Sequence, residues 1–286
     1  MALRVALATC ERLPELDEDG PELLTALAAE GLEVEVHAWD APVDWAVFDL
    51  VVIRTTWDYW TRHDEFLAWT RSVPRLVNSA AVVAWNTDKT YLRRLAEAGI
   101  PTVPTTWLSP GAALTVPDHP FVVKPTVSAG ARDSAAYEAG DRDAVAHVDR
   151  LLEAGRSVMV QPYLDAVDTE GETAVLVFGG TVSHGARKAA VLEIGGGEPD
   201  LVARWSIAPR VPSEDETALA LRVLDVVRGW GDDLLYARVD LLPGPLLLEL
   251  EVTEPSLFLR HAPGAAQRFA KAVRERVSPG AATSPS

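Results

Sequence analysis

YARVDLLPGPLLLELEV, residues 236 to 252, is the stretch on which the fold turns. Two apolar runs flank Pro243, Gly244 and Pro245, a turn signal, so the segment predicts paired strands over Leu235–Asp240 and Leu246–Val252. Side chains alternate along a strand, which puts Arg238 and Asp240 on one face of the first and Glu249 and Glu251 on one face of the second. In a hairpin Asp240 then comes roughly opposite Glu249, and three carboxylates gather around one point. Their repulsion is costly unless a cation sits among them. Magnesium suits such a place, because Mg2+ takes a few carboxylate oxygens and completes its octahedron with phosphate and water. A solvated strand face that happens to be acidic fits the spacing equally well.

Outward from the hairpin, the chain reads as alternating strands and helices. The first 80 residues carry strands at Arg4–Thr9, Glu33–Trp39 and Asp49–Arg54 with a helix near Glu22–Ala29, a doubly wound α/β opening. Ligands in such sheets bind beyond the carboxyl ends of the strands, here Thr9 to Glu11 and Arg54 to Tyr59. The first of these loops lacks GxGxxG, which disfavours a dinucleotide cofactor. A helix over Asp88–Ala98 exits at Gly99, with Pro101 beyond. A compact unit follows: strand Phe121–Lys124, a small-residue loop, helix Ala144–Ala154 and strand Ser157–Gln161. Then come strands Glu172–Phe178, Thr181–Arg187 and Leu201–Ile207, a helix Glu214–Arg228, the hairpin, and a last helix Gly264–Val277. These changes of pattern divide the chain into 1–80, 81–161 and 162–277, with a Pro/Gly/Ser-rich tail at 278–286 expected to be disordered.

The bulk numbers narrow the partners. In 286 residues, 48% of them hydrophobic, there is room for two or three small cores. Lys plus Arg number 26 against 42 Asp plus Glu, a formal charge of -16 that repels nucleic acid and anionic membranes. The one cysteine, Cys10, has no partner for an internal disulfide, and no zinc-type spacing accompanies the six histidines. The amino terminus shows no targeting segment, so a cytoplasmic setting is expected.

Two lysines stand in unusual places. Lys89 falls in the first turn of its expected helix, where the dipole disfavours a cation unless an anion is near. Lys124 ends an apolar strand beside Pro125 and precedes Ser128, Ala129, Gly130 and Ala131, whose amides could approach phosphate oxygens closely. Together they make a phosphate cradle; separately each reads as an ordinary solvated lysine. At Gln161, Pro162, Tyr163 and Leu164 a strand ends beside a proline and leaves unpaired backbone groups, which suits an adenine ring as well as a plain strand exit.

The order of these pieces resembles the ATP-grasp superfamily, in particular its glutathione synthetase and D-alanine-D-alanine ligase branch. That resemblance implies an amino-terminal substrate domain, a small lid lobe over ATP and a carboxyl-terminal metal lobe. It makes Glu249 and Glu251 the terminal metal motif, with Glu251 where Asn is usual, and Asp240 the upstream metal carboxylate. Arg238 would lie near the transferred phosphate, Lys89 and Lys124 on the phosphates, Gln161–Leu164 on the adenine and Glu172 near the ribose. A narrower resemblance, carried by RTTWDY (54–59), NTDKTYL (86–92), KPTVSAGA (124–131), SHGARK (183–188) and EVTEPSLFL (251–259), is to a bacterial group that includes the cyclo-ligase forming D-cycloserine from O-ureido-serine, a likeness that does not fix the substrate.

The resemblance implies an ATP-dependent ligase that activates a carboxylate as an acyl phosphate and lets an amine displace the phosphate, with ATP and Mg2+ as cofactors. A place in antibiotic biosynthesis goes with it. Charge on the transferred phosphate must be neutralised from both sides, and no protein nucleophile is needed. Arg187 and Lys188, with the glycines at 195–197, are candidate contacts and cover for the acyl phosphate. His184 is a candidate base, or simply a packed side chain. Thr9, Cys10, Arg54, Trp57, Asp58, Glu254 and Ser256 are candidates for holding a small amino acid-like substrate, while Trp57 and Tyr59 also read as packing at a lobe junction. The composition leaves room for a homo-oligomer. Cyclisation within one molecule and ligation of two both fit, and a nucleotide-binding module without turnover is the rival of another class.

Overall fold

The computed structural model describes residues 3–190, 192, 194 and 206–278. Strand β1 (Leu3–Thr9) is followed by α1 (Gly20–Ala29), β2 (Leu32–Ala38), β3 (Leu50–Thr55), α2 (His63–Ser72) and β4 (Leu76–Val77). The four strands form a parallel sheet in the order β2-β1-β3-β4. All six residues of β3 are buried, as a central strand covered on both faces requires. On one face Trp39, Trp45, Phe66 and Trp69 pack as a cluster with neighbouring ring centroids 5.3 to 5.4 Å apart.

Helices α3 (Ala80–Asn86) and α4 (Tyr91–Glu97) come next. Val82, Tyr91, Leu92 and Leu95 share a core with Val239, Leu247 and Leu250 of the 236–252 hairpin. Helix α4 starts later than the sequence pattern suggests, and Lys89 lies in the turn before it. The Asp88 carboxylate takes the Thr90 amide at 3.0 Å, and the Lys89 amide goes to the Thr126 carbonyl at 2.9 Å. Both amides are therefore committed outside the helix.

A second sheet combines β5 (Thr106–Leu108), β6 (Phe121–Pro125), β7 (Ala135–Tyr137) and β8 (Val158–Pro162), antiparallel in the order β5-β8-β6-β7, with α5 (Asp143–Glu153) on one face. After the short α6 (Ala166–Glu170), the third sheet holds β9 (Glu172–Phe178), β10 (Thr181–Lys188), β11 (Ile207–Arg210), β12 (Tyr236–Leu242) and β13 (Leu246–Glu251). Its antiparallel order is β11-β10-β9-β12-β13. The strand expected over Leu201–Ile207 begins only at Ile207, and residues 201–205 lie outside the described residues.

Helix α7 (Glu214–Arg228) opens with a capping box: Ser213 accepts from the Glu216 amide and Glu216 from the Ser213 amide. Its apolar stripe, Leu219, Ala220, Val223, Leu224 and Val227, packs on β9 and β12. Helix α8 (Ala265–Val277) packs on α1 and on β9 through Ala266, Ala270 and the fully buried Phe269. Such a burial contributes about 1.5–3 kcal/mol. The β12–β13 register pairs Arg238 with Glu251 and Asp240 with Glu249, as the spacing requires, with a bulge between Asp240 and Leu241.

Candidate active site

The second and third sheets, with the loops that follow β1 and β3, enclose a cavity of about 1100 Å³. One wall comes from β6 and the loop after it. Lys124, the penultimate residue of β6, has no hydrogen-bond or ion-pair partner among the described residues, and burial pulls its pKa down against the attraction of Glu249 and Glu172. The following loop turns through left-handed backbone at Gly130 (φ 65°), Ala131 (58°) and Asp133 (52°). Two of these are not glycine, and such backbone persists only where surroundings hold it. Here the Asp133 carboxylate is gripped by Arg156 and, at 3.3 Å, by Arg150, while Arg156 also donates to the Val127 carbonyl at 3.1 Å. Arg132 reaches across to lie 4.9 Å over the Trp60 ring. Lys89 donates to the Ser128 carbonyl at 3.0 Å and pairs with Glu249 at 3.1 Å. Burial works against its charge, but Glu249, Glu251 and Glu254 overcome that and raise its pKa.

The opposite wall is the hairpin. Arg238 holds Asp240 with two bonds of 2.9 Å, pairs with Glu251, and donates to the Ser256 carbonyl at 3.2 Å. Lys188, the last residue of β10, bridges Asp240 and Glu172 at 2.7 Å each. Burial opposes the charge on Asp240, yet Arg238 and Lys188 keep its pKa below the usual carboxylate value. Burial together with Glu249 and Asp240 pushes Glu251 up to about 7 against the pull of Arg238, and burial with Glu251 and Glu249 pushes Glu254 up to about 8. The wall thus carries more negative charge than its lysines and arginine relieve.

This bears on the metal. Among the described residues no three His, Cys, Asp or Glu side chains converge as metal ligands would. Asp240 is 1% exposed, does not line the cavity and is saturated by its two cations. The expected meeting of three carboxylates at one point is therefore replaced by three carboxylates each held by a cation. Glu249 and Glu251 line the cavity, and their excess charge with Glu254 is of the kind a divalent cation relieves.

Gln161, Pro162, Tyr163 and Leu164 line the cavity where β8 ends, as does Glu172. The hinge is more paired than expected, since the Tyr163 amide donates to Pro120 at 2.9 Å. At the other end lie Trp57, Tyr59, Glu254 and Ser256, joined by Arg12, Asp17, Phe258, Arg260 and His261. Burial raises the pKa of Asp17 despite nearby Arg54.

Several expected contacts do not reach the cavity. The Thr9 hydroxyl bonds to Thr55 at 2.6 Å and to Leu13 at 2.7 Å, and Cys10 is buried in the aromatic core. Asp58 accepts from the Trp39 indole at 2.9 Å. Arg54 lies 98% hidden between the Tyr236 and Phe269 rings and donates to the Pro255 carbonyl at 2.9 Å. Arg187 closes the carboxyl end of α6 through the Thr169 and Glu170 carbonyls. His184 sits between the Ser183 hydroxyl and the Leu257 carbonyl, where burial lowers its pKa to about 4. The glycines at 195–197 lie outside the described residues.

A family model described as "D-cycloserine synthetase DcsG, N-terminal domain" matches residues 5–78. The cycloserine biosynthesis protein DcsG of Streptomyces lavendulae is 38% identical over 299 residues, covering 96% of this chain and 99% of that one. The chain belongs to the DcsG family. The crystal structure of a D-cycloserine synthetase DcsG superposes with a TM-score of 0.88 at 36% identity, over 96% of this chain and 100% of that one. D-alanine-D-alanine ligase from Bacillus anthracis, complexed with ATP, superposes at 0.63 with 14% identity, over 96% and 97% of the two chains, which shows the shared ATP-grasp fold. This DcsG-family chain is an ATP-grasp ligase, an enzyme of ATP-dependent carboxylate-amine ligation. No helix among its described residues is long and apolar enough to cross a membrane.

Proposed function

We propose that this DcsG-family ligase closes a small amino acid-like substrate on itself, with O-ureido-serine as the substrate to try first, in a cytoplasmic antibiotic pathway. In the first step a carboxylate oxygen attacks the terminal phosphorus of ATP and the bond to ADP breaks, leaving an acyl phosphate. In the second a nitrogen of the same molecule attacks the acyl carbon and phosphate leaves; in O-ureido-serine it is the ureido N–H bonded to the side-chain oxygen, which closes a five-membered ring and gives up its proton. The observation that carries this reading is Lys124, a desolvated ammonium with no partner among the described residues, on the wall facing Glu249 and Glu251. A triphosphate supplies the missing anion.

Lys89, Lys124 and the Ser128, Ala129 and Gly130 loop take the phosphates, while Gln161, Pro162, Tyr163 and Leu164 take the adenine, with Glu172 near the ribose. Glu249 and Glu251 hold Mg2+, with Asp240 behind them; the ion neutralises phosphate charge. Arg238 and Lys188 face the transferred phosphate. Trp57, Glu254 and Ser256, with Arg12, Asp17 and Arg260, line the substrate end. Residues 1–80, 81–161 and 162–277 serve as substrate, lid and metal units, although α3 and α4 pack with the third.

The experiment supplies ATP, Mg2+ and O-ureido-serine alone and measures ADP together with the mass of the product. A cyclised product without a second amino acid supports the proposal. ADP formed only when a second amino acid is added makes the enzyme an intermolecular ligase. ATP bound with no ADP formed across an amino-acid panel would overturn the reading.

A further inference from the structure

Past β13 the chain runs through Val252 and Thr253 to three successive residues whose carbonyls are each taken by a different side chain. Trp57 Nε1 donates to Glu254 at 3.0 Å, Arg54 to Pro255 at 2.9 Å and Arg238 to Ser256 at 3.2 Å. Donors from the first sheet and from the hairpin thus fix this backbone, and the side chains of Glu254 and Ser256 line the cavity. The carboxylates of the third sheet have cations: Glu172 and Asp240 have Lys188 at 2.7 Å, Glu249 has Lys89 at 3.1 Å, and Glu251 has Arg238, while Asp17 across the cavity takes the Asp19 amide at 3.2 Å. The Glu254 carboxylate has neither an ion pair nor a hydrogen bond among the described residues. It stands between the phosphate-side cluster, three residues back at Glu251, and the Trp57 and Tyr59 wall.

We propose that Glu254 is the group that receives the substrate's nucleophilic N–H, accepting a hydrogen bond from that nitrogen and taking its proton as the new bond forms. The inference rests on the ligase reading above. As the nitrogen attacks the acyl carbon, the N–C bond forms and the C–O bond to phosphorus breaks. Phosphate leaves with that electron pair, and the nitrogen's proton passes to the carboxylate. A carboxylate serves here better than a neutral lysine, because it accepts a proton and does not form a stable amide with the acyl group. The groups facing Glu254 are Glu249 and Glu251 of β13, Arg238 of β12, Lys89 before α4 and the Tyr59 hydroxyl.

Glu254→Gln keeps the shape and removes the acceptor. With ATP, Mg2+, O-ureido-serine and hydroxylamine as trap, acyl hydroxamate should still form within a few-fold of wild type, while cyclised product falls about 100-fold or more. Should the glutamine variant fail to fold, Glu254→Asp carries the same comparison with a smaller loss of product. Product within threefold of wild type overturns the proposal, as does an equal loss of hydroxamate and product. Activity restored by raised Mg2+ also overturns it, assigning Glu254 to the metal. Wild-type enzyme that yields neither hydroxamate nor product refutes the ligase reading itself, a result distinct from any of these.

Discussion

Asp240→Asn should lower the melting temperature by about 6 °C. Asp240 is 1% exposed and accepts two bonds of 2.9 Å from Arg238 and one of 2.7 Å from Lys188. The amide fits the same space but carries no charge, and its nitrogen can only donate, toward cations that also donate. Removing one partner of a buried pair costs about 3–5 kcal/mol. The lower end applies, because Lys188 keeps Glu172 and Arg238 keeps Glu251. For chains somewhat shorter than this one, each kcal/mol moves the midpoint about 2–4 °C, so about 3 kcal/mol gives the figure stated. Thermal melts followed by far-UV circular dichroism at neutral pH provide the measurement. Asp240's folded pKa is depressed, so its contribution is present above the unfolded value and lost as pH falls through the folded one. The difference between wild type and variant should therefore shrink below about pH 4. A variant that melts within about 1 °C of wild type at pH 7 would show that the three bonds only offset the cost of burying them.

Lys124→Met should weaken binding of a non-hydrolysable ATP analogue at least about tenfold by calorimetry, with no loss of melting temperature, since the ammonium has no partner to lose among the described residues. Folded His184 has a pKa of about 4 against 6.5, so the unfolded chain binds its proton first and stability falls as pH drops from 6.5 to 4. Denaturant titrations across that window should show wild type losing about 3 kcal/mol more stability than His184→Asn. Trp60→Ala removes the ring under Arg132, a contact worth about 0.5–1 kcal/mol, and should raise ADP formed per molecule of product about two- to fivefold as water reaches the acyl phosphate.

The hairpin was legible because charged and apolar residues alternate over 238–241 and again over 249–252, with the turn residues Pro243, Gly244 and Pro245 between them. Lys124 was legible for a similar reason, as a charge at the end of an apolar strand. Cation partners were not legible: Lys188 reaches Asp240 from a strand that ends 52 residues earlier, and spacing along the hairpin says nothing of it. The rule that ligands lie beyond strand ends drew in Thr9, Cys10, Arg54 and Asp58. Yet β3 is buried on both faces, so Arg54 turns inward to a backbone carbonyl. Arg12, Asp17, Arg132 and Arg260 stand in loops or a single short turn, where no period marks a direction. Strands β4, β5 and β7 span two or three residues, too few to show alternation.

Main-chain carbonyls are common to all twenty amino acids, so the grip of Trp57, Arg54 and Arg238 on residues 254 to 256 is indifferent to what those residues carry. Selection, natural or in the laboratory, can exchange the group at 256 while Glu254 and the frame behind it stay put. Libraries seeking enzymes that close other rings should randomise position 256 first, keep Glu254 and leave the three anchors untouched.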